Sequence, residues 1–319
     1  MKAVGMLSGG LDSLLACKLL MEQGIEVVGI SFKSPFFGSE KAEKGAKQLG
    51  IKLKVVPVGP SYFTMLRKPK HGYGSGVNPC VDCKIWMLKE AKKYAAKIGA
   101  KFVFTGEVLD QRPKSQRYQP LMAIAKDSGL EGKLLRPLSA KLLPETEAEK
   151  KGWVDRSKLL GIRGRKREEQ MKWAKKFKII YPGPAGGCLL CEKEFAVKLK
   201  ELFADQKIVK TEDLELLKLG RHFKLGKEKI IVGRNLADNE ALLKWKRKTD
   251  YYFEVPKVGS PITLLLGKSK EAIKLAAQLT ARYADVDDDE VVVSYGKNKL
   301  DKEIKVKQVG DELLKEYKL

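Results

Sequence analysis

The chain has 319 residues, 43% of them hydrophobic, which is enough for two domains with cores that need no disulfides or structural metals. Charge is the outlying property: 63 Lys and Arg against 40 Asp and Glu give a formal net charge of +23, a surface that draws polyanions over long range. Nucleic acid is the first partner this suggests and an anionic membrane the second, while heat adaptation alone also enriches Lys and Glu. No apolar run approaches the roughly 20 residues needed to span a bilayer, and MKAVGMLSGG runs straight into a strand and a loop. The expectation is a cytoplasmic protein with no signal peptide and no membrane partner.

Ala3–Leu7 reads as a short apolar strand, followed by SGGLDS and then LLACKLLMEQG, a helix ended by Gly24. IEVVGISF (25–32) is a second buried strand, KAEKGAKQLG a helix ending at Gly50, and IKLKVVPV a third strand. VDCKIWMLKEAKKYAAKIG (81–99) is a long helix, KFVFTGE (101–107) a fourth strand and KLLRPLS (133–139) a fifth. Strand–helix alternation of this kind predicts a doubly wound parallel α/β sheet, Rossmann-like in layout. Residues 140–180 are basic and read as helical, and YPGPAGGCLLC (181–191) interrupts the pattern with Pro and Gly. From about 206 short alternating strands precede the helix SKEAIKLAAQLTARYA, the pattern of a smaller α+β domain. The expected domains are 1–200 and 206–319, with the boundary near 200–208.

SGGLDS lies between the first strand and the first helix. Gly9 and Gly10 let the backbone approach an anion, the following N–H groups point from a helix N-terminus, and Ser8 and Ser13 add hydroxyl donors. Asp12 would repel phosphate unless Mg²⁺ lies between them, so a metal–pyrophosphate is implied. Neither the Walker A spacing nor G-x-G-x-x-G is present. The stretch resembles the pyrophosphate loop, S-G-G-x-D-S, of the N-type ATP pyrophosphatases (PP-loop enzymes), which adenylate a carbonyl oxygen and let a nucleophile displace AMP. That resemblance implies ATP and Mg²⁺ as cofactors, adenosine contacts from Ser31 and Phe32 at the end of the second strand, and Gly106 of Thr105-Gly106-Glu107 over the same switch-point crevice.

Of five cysteines, Cys17 sits among leucines as a small core residue. The others form two C-x-x-C pairs, Cys80/Cys83 and Cys188/Cys191, a pattern open to zinc, redox or iron–sulfur readings. The span between the pairs is about 100 residues, longer than in a zinc ribbon, so folding must bring them together. NPCVDCK (78–84) resembles N-P-x-x-x-C-N of the bacterial tRNA 2-thiouridylases, with Cys83 at the catalytic cysteine, Cys80 where that family has Asp or Cys, and Lys84 replacing the final Asn. Their second essential cysteine has its counterpart in Cys188. TGEVLDQRPKSQ, LRPLSAKLLPETE and PAGGCLLCEKEF look like an archaeal and thermophile branch of these thiolases, and the match runs over roughly 1–198. Related thiolases hold a 4Fe–4S cluster on three cysteines, which implies Cys80, Cys83 and Cys188 as ligands. Cys191 is then a fourth ligand, a persulfide carrier or a bystander. A cluster-free persulfide pair and structural Zn²⁺ are the alternatives.

In LGRHFKLGKEKIIVGRNLADNEALLKW (219–245), Arg221, His222, Lys224 and Arg234 stand beside Phe223 and Trp245, a mixture suited to RNA backbone contact and base stacking. The block resembles the RNA-binding domain of NFACT-type ribosome-associated proteins over roughly 206–319. Taken together, the resemblances imply an ATP-dependent tRNA sulfurtransferase that makes thiouridine, with tRNA and a sulfide or persulfide donor as partners. The competing readings are a PP-loop amidotransferase-like synthetase and a non-catalytic RNA-binding or ribosome-associated module with a zinc site.

Overall fold

The computed structural model describes residues 1–183, 188–206 and 209–319, arranged as two compact units, Met1–Cys191 and Glu192–Leu319. Pro184–Gly187, the front of the GGCLLC motif, lies outside the described residues.

The first unit is built on a five-stranded parallel sheet. Its strands are β1 (Lys2–Met6), β2 (Glu26–Lys33), β3 (Lys52–Pro57), β4 (Phe102–Thr105) and β5 (Leu134–Leu135), in the spatial order β3-β2-β1-β4-β5. The helices are α1 (Leu11–Met21), α2 (Glu40–Leu49), α3 (Pro60–Arg67), α4 (Cys80–Lys97), α5 (Tyr118–Asp127), α6 (Glu147–Lys150) and α7 (Glu168–Lys176). Both faces of the sheet are covered, which is why its central strands are apolar rather than alternating. On one side Leu11, Leu14, Leu15 and Cys17 of α1 pack with Leu135 and Ala174; on the other Ile85, Leu88 and Ala91 of α4 pack with Val4, Val103 and Ile124. The strand order reverses between β1 and β4, the switch point at which doubly wound sheets open a crevice beyond their carboxyl ends.

Two expectations shift. The fifth strand shrinks to two residues because Arg136 turns inward and Pro137 has no N–H for the ladder. Residues 140–180 hold only the one-turn α6, the nine-residue α7 and single 3₁₀ turns. Pro144 and the left-handed Gly152 and Gly164 break up what the composition suggested as helix.

The second unit is a six-stranded antiparallel sheet with helices on it. It contains α8 (Lys193–Asp205), α9 (Thr211–Leu216), β6 (Arg221–Leu225), β7 (Glu228–Val232), α10 (Leu236–Trp245), β8 (Tyr251–Glu254), β9 (Thr263–Leu266), α11 (Lys270–Arg282), β10 (Glu290–Gly296), β11 (Lys302–Lys307) and α12 (Asp311–Tyr317), with spatial order β11-β10-β8-β9-β7-β6. The division precedes α8, earlier than residue 200. Glu201 pairs with Lys224 and Asp205 pairs with Lys229 (2.9 Å), binding α8 to the β6–β7 hairpin. Among the described residues no helix is long and apolar enough to cross a membrane.

Candidate active site

The loop after β1 needs its glycines for space. Gly9 has φ +73°, and a Cβ there would stand 2.1 Å from the Lys41 carbonyl at the start of α2. Gly10, at the N-cap of α1, has no side chain to offer the first-turn N–H groups, so these stay available to an anion. The two loop hydroxyls hold each other: Ser8 Oγ donates to Ser13 Oγ (3.2 Å), and Ser13 Oγ donates to the Gly10 carbonyl (2.9 Å). Asp12 stands in the first turn of α1. Its Oδ2 accepts from Gln111 Nε2 at 2.9 Å and from Arg167 at 3.2 Å, while its Oδ1 is buried with no partner among the described residues. An orphaned carboxylate oxygen in a phosphate loop is a seat for a hard cation, so the residues fit Mg²⁺.

The end of β4 leans on this loop. A Cβ on Gly106 would lie 2.5 Å from the Asp12 carbonyl oxygen and 2.6 Å from the Ser13 nitrogen, so only glycine allows the approach. Glu107, 5% exposed, follows directly. It is held by Lys84, by Arg136 Nε at 3.1 Å and by Thr105 Oγ1 at 3.1 Å. Burial alone would raise the Glu107 carboxyl, but Lys84 and Arg136 overcome it and hold the group at about 2. Lys84 follows Cys83 on α4, so one buried carboxylate joins the cysteine helix to the residue that contacts the phosphate loop. Ser31 and Phe32 are buried at the end of β2, and the Phe32 ring meets Trp86 of α4 edge-on at 5.8 Å.

Around the cysteines, the sequence distance is closed by backbone bonds. Leu189 N–H donates to the Phe36 carbonyl (3.1 Å), and Val77 N–H donates to the Leu190 carbonyl (3.1 Å). Cys188, Cys191 and the 3₁₀ turn between them thereby dock beside the start of α4. Asn78 Nδ2 donates to Cys80 Sγ at 3.2 Å, and Asp82 accepts the backbone N–H groups of Lys70 and His71, fixing the loop ahead of the motif. Tyr62, fully buried among Phe37, Phe63 and Trp86, places its hydroxyl 3.4 Å from Cys83 Sγ. Burial pushes the Cys83 thiol up to about 11 against the opposing effects of Tyr62 and Lys84, and pushes Cys188 up to about 12. The Cys188 thiol also senses Cys191, Cys83 and Cys80, and Cys191 interacts with Cys188 and Cys80. Cys188 stands near the other three sulfurs, the donor chemistry of a thiophilic group, although among the described residues no three His, Cys, Asp or Glu side chains stand preformed around a metal. Cys17, by contrast, is a core residue with no exposure.

In the second unit the sequence-predicted RNA contacts are largely occupied. His222 is 3% exposed, its ring bonded to the Leu219 carbonyl, and burial holds its basicity down to about 3. That burial keeps it from reaching RNA: the strand packs on both faces, so alternation along β6 does not turn it outward. Lys224 pairs with Glu201 and Asp205, Arg234 with Asp238, and Arg221 lies over the Tyr283 ring at 4.3 Å. A separate open groove of about 760 Å³ is lined by Lys227, Lys229, Arg247, Lys268 and Lys297 together with Asp205, Glu228 and Asp250; Lys229 pairs with Asp205 and Arg247 with Asp213, and Lys297 Nζ lies 4.8 Å from the centre of the Tyr251 ring. Sequence reading missed Tyr62, Gln111, Arg136 and Arg167 as site residues, and named Glu107 only within Thr105-Gly106-Glu107. Their partners are distant in the chain, and only TGE beside the loop gave a local sign.

Comparison with known proteins agrees with this geometry. Residues 1–141 match the family model described as Thiamine biosynthesis protein (ThiI), and residues 220–318 match the NFACT protein RNA binding domain. The two matched segments are distinct, and neither covers half of the chain. A "Probable tRNA sulfurtransferase" of Thermococcus kodakarensis is 32% identical over 142 residues, 43% of this chain and 36% of the relative. Another of that name from Natranaerobius thermophilus is 34% identical over 146 residues, 43% of this chain and 35% of the relative. The "tRNA-specific 2-thiouridylase MnmA" of Sulfurimonas denitrificans is 35% identical over 113 residues, 32% of this chain and 33% of the relative. The chain thus spans about a third of the length of the curated relatives it matches.

Proposed function

We propose that the chain is an ATP-dependent tRNA sulfurtransferase that adenylates a uridine carbonyl and replaces its oxygen by sulfur. The observation that carries this reading is the Gly106–Glu107 junction. Gly106 packs on the Ser8–Ser13 loop and Glu107 grips Lys84 beside Cys83, which supports a reading in which the adenylating loop and the thiols serve one reaction.

The loop Ser8–Ser13 holds the phosphates of ATP, with Mg²⁺ on Asp12, and Ser31 and Phe32 line the adenosine side. The uridine is flipped out of its stack to reach the crevice. Its carbonyl oxygen attacks the α-phosphorus and pyrophosphate leaves. Sulfide adds to that carbonyl carbon, and AMP departs with the original oxygen. Tyr62 and the aromatic wall around it keep water from the adenylate. Cys80, Cys83 and Cys188 would hold a 4Fe–4S cluster, which when bound supplies a sulfide-binding iron; the protein's own contribution is to present three thiolates and to hold the helix of Cys80 and Cys83 through Lys84. Purified protein given Mg·ATP, sulfide and unmodified tRNA should release pyrophosphate and AMP in step with thiouridine, read by mass spectrometry of nucleosides. Absence of tRNA-dependent pyrophosphate release under anaerobic conditions would remove this assignment.

Lys227 and Lys297 of the second unit's groove are assigned to the RNA backbone, in place of His222. Replacing both Lys227 and Lys297 by Glu should weaken tRNA binding about tenfold and flatten the log–log salt dependence by about 1.5. Unchanged slopes by filter binding would move the RNA to another face.

A further inference from the structure

Three atoms around Asp12 lack partners among the described residues: Asp12 Oδ1, Arg167 Nε and Gln170 Oε1. They belong to one network. Gln170 has no exposure and its Nε2 approaches Gln111 Oε1 at 3.4 Å, which turns the Gln111 amide nitrogen toward Asp12 Oδ2 at 2.9 Å. Arg167, at the N-cap of α7, adds a second donor to that same oxygen at 3.2 Å. Both donors therefore sit on one carboxylate oxygen and leave the other bare. Buried polar atoms without partners are costly, and three in one network mark a missing complement. The two acceptors call for a cation or the water bound to it, and the donor calls for an anion. A magnesium-bound phosphate carries both.

Resting on the nucleotide reading above, we infer that Arg167 and Gln111 are the phosphate end of this site. Together they fix Asp12 so that Oδ1 alone faces Mg²⁺, and Arg167 gives its free N–H to the pyrophosphate moiety. Arg167 is separated from Asp12 by 155 positions, so α7 delivers a charge that the loop itself lacks. A guanidinium suits the task because it can grip a carboxylate and an oxyanion at once, which the point charge of lysine does less well.

The test uses the full chain and α,β-methylene-ATP with Mg²⁺ in calorimetric titrations. Arg167→Gln and Arg167→Ala should each bind the analogue about tenfold to a hundredfold more weakly, with Arg167→Lys in between. Gln111→Leu, which removes one donor from Asp12 Oδ2, should raise the Mg²⁺ concentration needed for half-saturation. Thermal melting confirms which variants are folded, and Arg167→Gln, the nearest in shape, stands in if the alanine variant is not. Variants that bind within twofold of wild type with an unchanged Mg²⁺ requirement would overturn the inference and leave the three atoms to ordered water. A wild-type protein that binds no analogue at all would instead overturn the nucleotide reading on which it rests.

Discussion

Replacing Cys83 by alanine should abolish thiouridine formation while Mg·ATP binding stays within about twofold of wild type. The two activities divide because Cys83 lies on α4, outside the Ser8–Ser13 loop, and is linked to it through Lys84, Glu107 and Gly106. Cys188→Ala should do the same from the other side, since its docking rests on backbone bonds at Leu189 and Leu190 that a side-chain change leaves in place. The pair is decisive when both readouts come from one preparation: thiolated nucleosides by mass spectrometry and nucleotide affinity by calorimetry. Full thiolation by either variant ends the proposed chemistry. Cys191, the exposed member of the set, discriminates further. Activity retained in Cys191→Ala fits three working thiolates and a bystander.

The second large effect is on stability. Glu107→Gln should cost about 3–5 kcal/mol, because it strands the guanidinium of Arg136, only 3% exposed, and frees Lys84. For a unit of this size that corresponds to a fall in Tm of about 10 °C. The pH dependence has a definite sign. Glu107 is held at about 2 in the folded chain against an ordinary 4.5, so its contribution is complete above the unfolded value and fades as pH falls toward about 2. The gap in melting temperature between wild type and Glu107→Gln should accordingly narrow across that acid range. A gap that holds constant down to the lowest pH at which both proteins fold would show that Glu107 is not an ionised partner of Lys84 and Arg136.

Much of the first unit was readable because its physics is local. Strands buried on both faces show as unbroken apolar runs, and the Gly–Gly turn with Asp12 and two serines needs no tertiary information to suggest phosphate. The C-x-x-C spacing likewise announced thiol chemistry. What spacing could not show was what surrounds the sulfurs. Tyr62, Glu107 and Arg136 reach the site from separate elements, and only Glu107, within Thr105-Gly106-Glu107, carried a local sign. Lys84 looked like a departure from a motif, and the structure gives it a partner, Glu107, that lies in another motif. In the second unit the basic residues on β6 and after β7 were visible, but their orientation was not. A strand packed on both faces buries His222 and Phe223 together, and the carboxylates of α8 and α10 occupy Lys224 and Arg234.

The main-chain docking of Leu189 and Leu190 has a consequence for how this segment can diverge among related chains. A Cβ on Gly76 would lie 2.6 Å from the Leu190 carbonyl, so the contact there is backbone against backbone. Length is then the guarded quantity. Identity at position 189 is free to drift, whereas a single inserted or deleted residue between 188 and 191 slides one sulfur out of register with α4. A panel of one-residue insertions beside a panel of Leu189 replacements should separate into two classes, the insertions losing thiolation and the replacements keeping it.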